Sequence, residues 1–305
     1  MSWVGVDCFH SEYIVGRDTD WEHWRGEPTY YDSRRGGVVR HGTGVAGIIN
    51  AGTNNGVGTA GLVPTALVLP FAVQKTDATH LDKSAVKKAF RALRFQFAHG
   101  SWTEMVRVVN MSFGGNDSDL GGFEISADLD LYDRLYVGSA GNDAVNEKTY
   151  PGAYSFTLGV SGLWTNENGS VWRASEDADG TGGGSSYYND NYSTYPVSGI
   201  YHFFDRVSDP MRSYHMSLAP PGQGMISENT FQHPGIQGVY HHFSGTSACA
   251  PAVSGLAVLL YDAHPDYNYT QIRQRIVETR LTYLDQHGAR QIAGPLSYSN
   301  ALSGW

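Results

Sequence analysis

A chain of 305 residues with 41% hydrophobic, 12% aromatic and 17% charged side chains can bury a sizeable core, which excludes a disordered or low-complexity protein. Its formal net charge of −9, with basic residues scattered and densest only at Arg34-Arg35 and Lys87-Lys88, argues against a nucleic-acid partner. No run approaches the roughly 18 apolar residues that span a bilayer, and the first residues lack the basic, apolar and small-residue succession of a signal peptide, so no membrane association is expected.

In chain order, Trp3–Asp7 is a short apolar run of strand length that ends on Asp7. His41 then opens a stretch in which Val45, Ile48 and Ile49 recur at helical spacing. Ala66–Val73 reads as a strand, and Val86, Ala89, Phe90 and Leu93 mark a second helix. Three more strand-like runs follow: Met105–Met111, which leads into Ser112; Arg134–Gly138, which leads to Asn142; and Phe156–Gly162. Residues 163–212 break the pattern with Asn166-Glu167-Asn168-Gly169, the acids Glu176, Asp177 and Asp179, and Gly182–Gly184, and read as a long surface insertion. The last clear helix carries Val253, Leu256, Val258 and Leu259, begins at Ser247 and runs through Tyr261. Without a long linker, residues 1–305 read as one domain. Strand and helix alternate, which predicts an α/β fold: a mostly parallel central sheet flanked by helices on both faces, with its site beyond the carboxyl ends of the strands.

Five polar residues sit at those element boundaries: Asp7, His41, Ser112, Asn142 and Ser247. Acyl transfer by a serine needs a base for the hydroxyl proton, a carboxylate that orients the base and donors aimed at the oxyanion. Asp, His, Asn and Ser occur here in the chain order that distinguishes the subtilisin triad from those of chymotrypsin and the α/β-hydrolases. In Ser244-Gly245-Thr246-Ser247-Ala248-Cys249-Ala250-Pro251, Ser247 falls in the first turn of a helix, where unpaired N–H groups and the dipole favour an oxyanion. Taken alone, Thr246 or Ser247 would serve as an ordinary helix cap. His41-Gly42-Thr43-Gly44-Val45-Ala46-Gly47 supplies an imidazole able to act as base and then acid near neutrality. Twelve histidines without an HExxH or CxxC pattern give no metal site, and Cys8 and Cys249 allow one disulfide at most.

HGTGVAG at His41–Gly47 and GTSACAP at Gly245–Pro251 resemble the histidine and serine boxes of the subtilisin-like serine proteases. VVNMSFGG at Val108–Gly115 is similar to that family's substrate-binding strand, and SAGND at Ser139–Asp143 to the segment with its oxyanion asparagine. Further similarity lies at Asn54–Gly58, Tyr150–Tyr154, Leu218–Gly222, Gly294–Leu296 and Asn300–Leu302, so it spans nearly the whole chain outside 163–212. The resemblance implies a serine endopeptidase with Asp7, His41 and Ser247 as triad, Asn142 in the oxyanion hole, and Ser112, Phe113, Gly114, Ser139, Ala140, Gly141 and Asp143 lining the substrate site. It further implies protein or peptide substrates, secretion, an inhibitory prosegment absent from this chain and no required cofactor.

Two departures matter. The family shows Asp-Thr-Gly or Asp-Ser-Gly where this chain has Asp7-Cys8-Phe9, which leaves Asp18, Asp20 and Asp32 as competing carboxylates, although none of the three ends an apolar run. The family also carries a further helix and strand before the aspartate, as if this were a trimmed fragment or a minimal or intracellular member. That region helps bind the family's common calcium, so calcium at Asn54–Gly58 or on the 176–179 acids lacks a clear ligand set. Small walls predict a pocket for large apolar side chains, and either Asp143 with Glu147 adds a preference for Lys or Arg or both acids are solvated loop residues; Ala78–Leu81 would form the opposite wall. A non-catalytic binding module and an acyl-transferring relative are the other two function classes to be distinguished.

Overall fold

The structure, a computed structural model, describes residues 4–7, 12–15, 30–32, 37–39, 41–51, 53–54, 61–73, 81–94, 106–143, 147–165, 171–173, 200–206, 213–215, 245–279, 282–284, 291–293 and 297–303. In chain order these form β1 (Val4–Asp7), β2 (Glu12–Val15), β3 (Tyr30–Asp32), β4 (Gly37–Val39), α1 (His41–Asn50), β5 (Phe71–Ala72), α2 (Lys83–Arg94), β6 (Val108–Met111), α3 (Gly122–Leu129), β7 (Leu135–Ser139) and β8 (Leu158–Thr165). There follow β9 (Val171–Arg173), β10 (Ile200–Arg206), β11 (Ser213–His215), α4 (Thr246–Ala263), α5 (Tyr269–Glu278), β12 (Thr282–Leu284), β13 (Gln291–Ala293) and α6 (Tyr298–Leu302).

The main sheet has the order β11-β10-β8-β7-β6, with β9 added to β8. Its central pairs are parallel, in the registers Val108↔Leu135, Val137↔Leu158 and Ile200↔Val160. A second sheet, β2-β1-β5, pairs β1 parallel to β5 and sets Asp7 opposite Ala72. Strands β3 and β4, and β12 and β13, form separate antiparallel pairs.

Alternation along the strands divides the core. On one face Leu135 and Val137 of β7 and Leu158 and Val160 of β8 meet Val253, Leu256 and Leu260 of α4 and Ile272 and Ile276 of α5. On the other, Tyr136 and Met111 meet Val86, Phe90 and Leu93 of α2 and Ile125 of α3. Phe71 and Val73 pack against this second cluster, which brings β5 alongside. Helices therefore cover both faces of a mostly parallel sheet. Beneath the second layer lies a buried ionic group: Arg134 Nη1 is 2.5 Å from Asp128 Oδ1, and Tyr136 donates its hydroxyl to Asp128 Oδ2 at 2.7 Å. Burial raises the Asp128 carboxyl above the usual range despite these partners, and raises the Tyr136 phenol with it.

Several sequence expectations change. Ala66–Val73 contributes only Phe71–Ala72 as strand, because Pro70 has no N–H for a ladder, and Leu67 is 83% exposed. Helix α4, at 18 residues, is by length and composition apolar enough to cross a membrane, contrary to the reading of the sequence, but most of it is buried between the sheet and its neighbours. Part of the stretch read as an insertion is sheet: Val171–Arg173 forms β9, and Ile200–Arg206 forms β10 beside β8. The apolar and aromatic run Ile200-Tyr201-His202-Phe203-Phe204 carries that strand signal, masked by the polar residues before it. Residues 174–199, with the acidic cluster, lie outside the described residues.

Candidate active site

Ser247 is the second residue of α4 and Asn142 follows the end of β7; 105 residues separate them in sequence, and α4 brings them together. Gly245, the residue before the helix, has φ 92° and ψ 175°, a conformation essentially limited to glycine. No side chain of its own segment caps α4. Asn142 does so from across the fold: its Oδ1 accepts from Thr246 N at 2.8 Å and from Thr246 Oγ1 at 2.9 Å. Thr246 Oγ1 in turn accepts from Gly141 N at 3.1 Å. With its oxygen engaged twice, the Asn142 amide presents Nδ2 as its donor, beside the helix turn that holds Ser247. A Cβ at Gly245 would lie 3.0 Å from Asn142 Oδ1 and 3.1 Å from Nδ2, so glycine is also required for the amide to fit.

Ser112, directly after β6, is bonded to Ser247 twice. Ser247 Oγ donates to Ser112 O at 3.1 Å, and Ser112 Oγ donates to Ser247 O at 2.7 Å. Cys249, two residues after Ser247, is fully buried, and burial pushes its free thiol well up, so it stays a thiol rather than a reactive thiolate.

The two walls read from the sequence run side by side. Ser139 Oγ donates to Phe113 O at 3.5 Å, and Ala140, buried, donates its N–H to Val160 O at 2.9 Å. Segment 149–152 joins the walls: Gly115 and Tyr150 exchange backbone bonds of 2.9 and 2.8 Å, the Thr149 methyl lies where a Cβ on Gly114 would be, and Gly152 packs on Gly138 and Ser139. Gly141 has φ 98° at the turn into Asn142, and Asp143 and Glu147 are exposed.

The backbone of Asp7 ends β1 and that of His41 opens α1; where their side chains point lies outside the described residues. Val45 and Ile48 of α1 pack against Ala248 and Ala252 of α4, so the helix that His41 opens runs beside the one whose second residue is Ser247. Among the competing carboxylates, Asp32 also ends a strand, β3, but in the two-stranded pair with β4, while Asp18 and Asp20 lie outside the described residues. So do residues 78–80 of the opposite wall, Ala78–Leu81, and residues 55–58 of the Asn54–Gly58 loop. Among the described residues no three His, Cys, Asp or Glu side chains gather as a metal site.

Sequence reasoning missed Asn110 and Ser254. Ser254 Oγ donates to Asn110 Oδ1 at 3.0 Å, and Asn110 Nδ2 to Ser112 Oγ at 2.9 Å. Their signal was weak but present: an amide inside the strand run Val-Val-Asn-Met, and a hydroxyl inside an otherwise apolar helix.

The profile of the subtilase family matches residues 7–295 of this chain. A thermostable alkaline protease of Halalkalibacterium halodurans is 27% identical over 283 residues, covering 90% of this chain and 58% of the relative. Subtilisin E of Bacillus subtilis is 26% identical over 249 residues, covering 80% and 51%, and a halolysin-like extracellular serine protease of Natrialba magadii is 27% identical over 239, covering 78% and 34%. The chain spans about half the length of these relatives or less. Among solved structures, a protease from Pseudoalteromonas arctica superposes with a TM-score of 0.64 at 22% identity, covering 98% of this chain and 83% of that one. Fervidolysin from Fervidobacterium pennivorans, a keratinolytic enzyme related to subtilisin, superposes with a TM-score of 0.60 at 20% identity, covering 99% and 39%. These likenesses show the fold.

Proposed function

The chain belongs to the subtilase family, and on that footing we propose that it is a serine endopeptidase whose triad is Asp7, His41 and Ser247. His41 takes the Ser247 hydroxyl proton as Oγ attacks a peptide carbonyl, and Asp7 orients the imidazole and stabilises its protonated form. The oxyanion is held by Asn142 Nδ2 and the Ser247 N–H. Collapse breaks the C–N bond, the leaving amine takes the proton from His41, and water then releases the acyl group by the reverse route. An extended substrate runs along Ser112, Phe113 and Gly114, which with Ser139, Ala140 and Gly141 wall the primary pocket, and Asp143 lies at the mouth of that pocket.

The observation that carries this reading is the capping of α4 by Asn142, which fixes an amide donor next to the first turn that bears Ser247. A binding module has no need of a pinned donor beside a serine hydroxyl, and nothing in the site selects an amine over water as the acyl acceptor. Residues 1–305 act as one peptidase unit, the substrates are protein or peptide chains, and the chemistry needs no cofactor. One relative is named as extracellular, and by likeness to it the enzyme works outside the cell.

Fluorophosphonate labelling and peptide hydrolysis test the reading together. The parent is expected to be labelled and active, and Ser247→Ala to be folded, unlabelled and inactive. Asn142→Ala is expected to lose about 10²–10³ in turnover with a smaller change in KM. Hydrolysis at the parent rate by Ser247→Ala would overturn the assignment.

A further inference from the structure

Helix α4 contains Pro251, four residues after Ser247. The Ser247 carbonyl would normally accept the N–H of residue 251, and proline has none. Ser112 Oγ occupies that acceptor instead, at 2.7 Å. A hydroxyl carries one proton and a carbonyl can only accept, so Ser112 must act as acceptor toward any other partner. Asn110 meets this requirement with Nδ2, 2.9 Å from Ser112 Oγ. The opposite end of the amide, Oδ1, then needs a donor, and Ser254 Oγ supplies it at 3.0 Å. The orientation of each member thus follows from one missing N–H in the helix. Ser254 is 1% exposed and Ser112 6%, so water is a poor substitute for either.

We propose that Asn110 and Ser254 are positioning residues for the nucleophile, acting through Ser112 on the peptide group of Ser247; this rests on the serine peptidase reading above. Ser254 lies roughly two turns along the helix from Ser247, so the relay leaves α4, crosses β6 and returns to its first turn. Docking the helix does not require it, because Val253, Leu256 and Leu260 already seat α4 on Leu135, Val137, Leu158 and Val160. What the apolar contacts leave undetermined is the rotation of the Ser247 peptide group. The hydroxyl chain sets it, and Ser112 also holds Ser247 Oγ through its own carbonyl.

The test compares Ser254→Ala, Ser112→Ala and the double variant with the parent, reading kcat and KM on a peptide, the rate of fluorophosphonate labelling, and the unfolding temperature. Ser254→Ala is expected to slow turnover and labelling about three- to ten-fold, the scale of one hydrogen bond, with KM within about two-fold. The double variant is expected to be no slower than Ser112→Ala, because Ser254 acts through Ser112. Ser254→Thr, which keeps the hydroxyl, should recover most of the labelling rate. Parent labelling in Ser254→Ala with only a lowered unfolding temperature would reduce the relay to a structural feature and sink the proposal, as would losses that add in the double variant. If Ser254→Ala does not fold, Ser112→Ala labelled at the parent rate would sink it equally. A parent that is never labelled removes the peptidase reading itself, a result distinct from a labelled parent with indifferent variants.

Discussion

Replacing Gly245 by alanine joins backbone conformation to catalysis. At φ 92° and ψ 175° a side chain is strained by about 1–3 kcal/mol. For a chain of 305 residues that strain lowers the unfolding temperature by roughly 2–5 °C, from an unfolding entropy of about 2.1 cal/mol/K per residue. The added Cβ would sit 3.0, 3.1 and 3.2 Å from Oδ1, Nδ2 and Cγ of Asn142, inside ordinary contact distance, so the amide must move by a few tenths of an ångström. Both Thr246 bonds to Oδ1 hold that amide, and moving it turns Nδ2 away from the place where the proposed mechanism puts the oxyanion. Turnover should therefore fall, with the loss of about 10²–10³ expected of Asn142→Ala as its limit, while KM changes little. Thermal unfolding and steady-state kinetics of Gly245→Ala, Asn142→Ala and the double variant read both effects. In the double variant the kinetic losses should not add, because both act on one donor. Parent turnover in Gly245→Ala, or a double variant with fully additive losses, would refute the link between the Gly245 backbone and the Asn142 amide.

Asp7→Asn should lower turnover by about 10⁴ through the wrong imidazole tautomer, whereas Asp18→Asn, Asp20→Asn and Asp32→Asn should be mild; a crippling effect at Asp32 would move the triad carboxylate to β3. Arg134→Met should cost about 3–5 kcal/mol by removing the cation hydrogen-bonded to the buried Asp128, as measured by chemical unfolding. Because burial raises the Asp128 carboxyl, the folded state keeps a proton that the unfolded state has released just above the usual carboxylate range, and stability from this group falls as pH rises through that interval. Loss of the arginine extends the interval upward, so the penalty of Arg134→Met should be larger near about pH 7.5 than near about pH 4.5. Asp143→Asn should reduce cleavage after Arg relative to cleavage after Leu by about a few-fold at low salt and by less at high salt, in matched peptides.

Local physical chemistry made much of this protein legible in its sequence. Apolar runs of strand length located β1, β6, β7 and β8, and spacings of three and four located α1, α2 and α4, because period and length depend on near neighbours alone. The same locality placed Ser247 at the start of a helix and Asn142 after a strand, in segments whose likeness to one family was already evident. Where signals overlapped, local reading failed: β10 was hidden behind polar residues, and the run before Phe71 lost its strand to Pro70. Contacts between distant segments were decided only by the tertiary structure. The capping of α4 by Asn142 joins residues 104 apart and the Ser112 bond to the Ser247 carbonyl residues 135 apart, and no periodicity or turn rule within either segment encodes such a pair. The polarity of the Ser254–Asn110–Ser112 relay, likewise, becomes determinate only when Pro251 removes one N–H and the fold places a hydroxyl within reach of the carbonyl left unpaired.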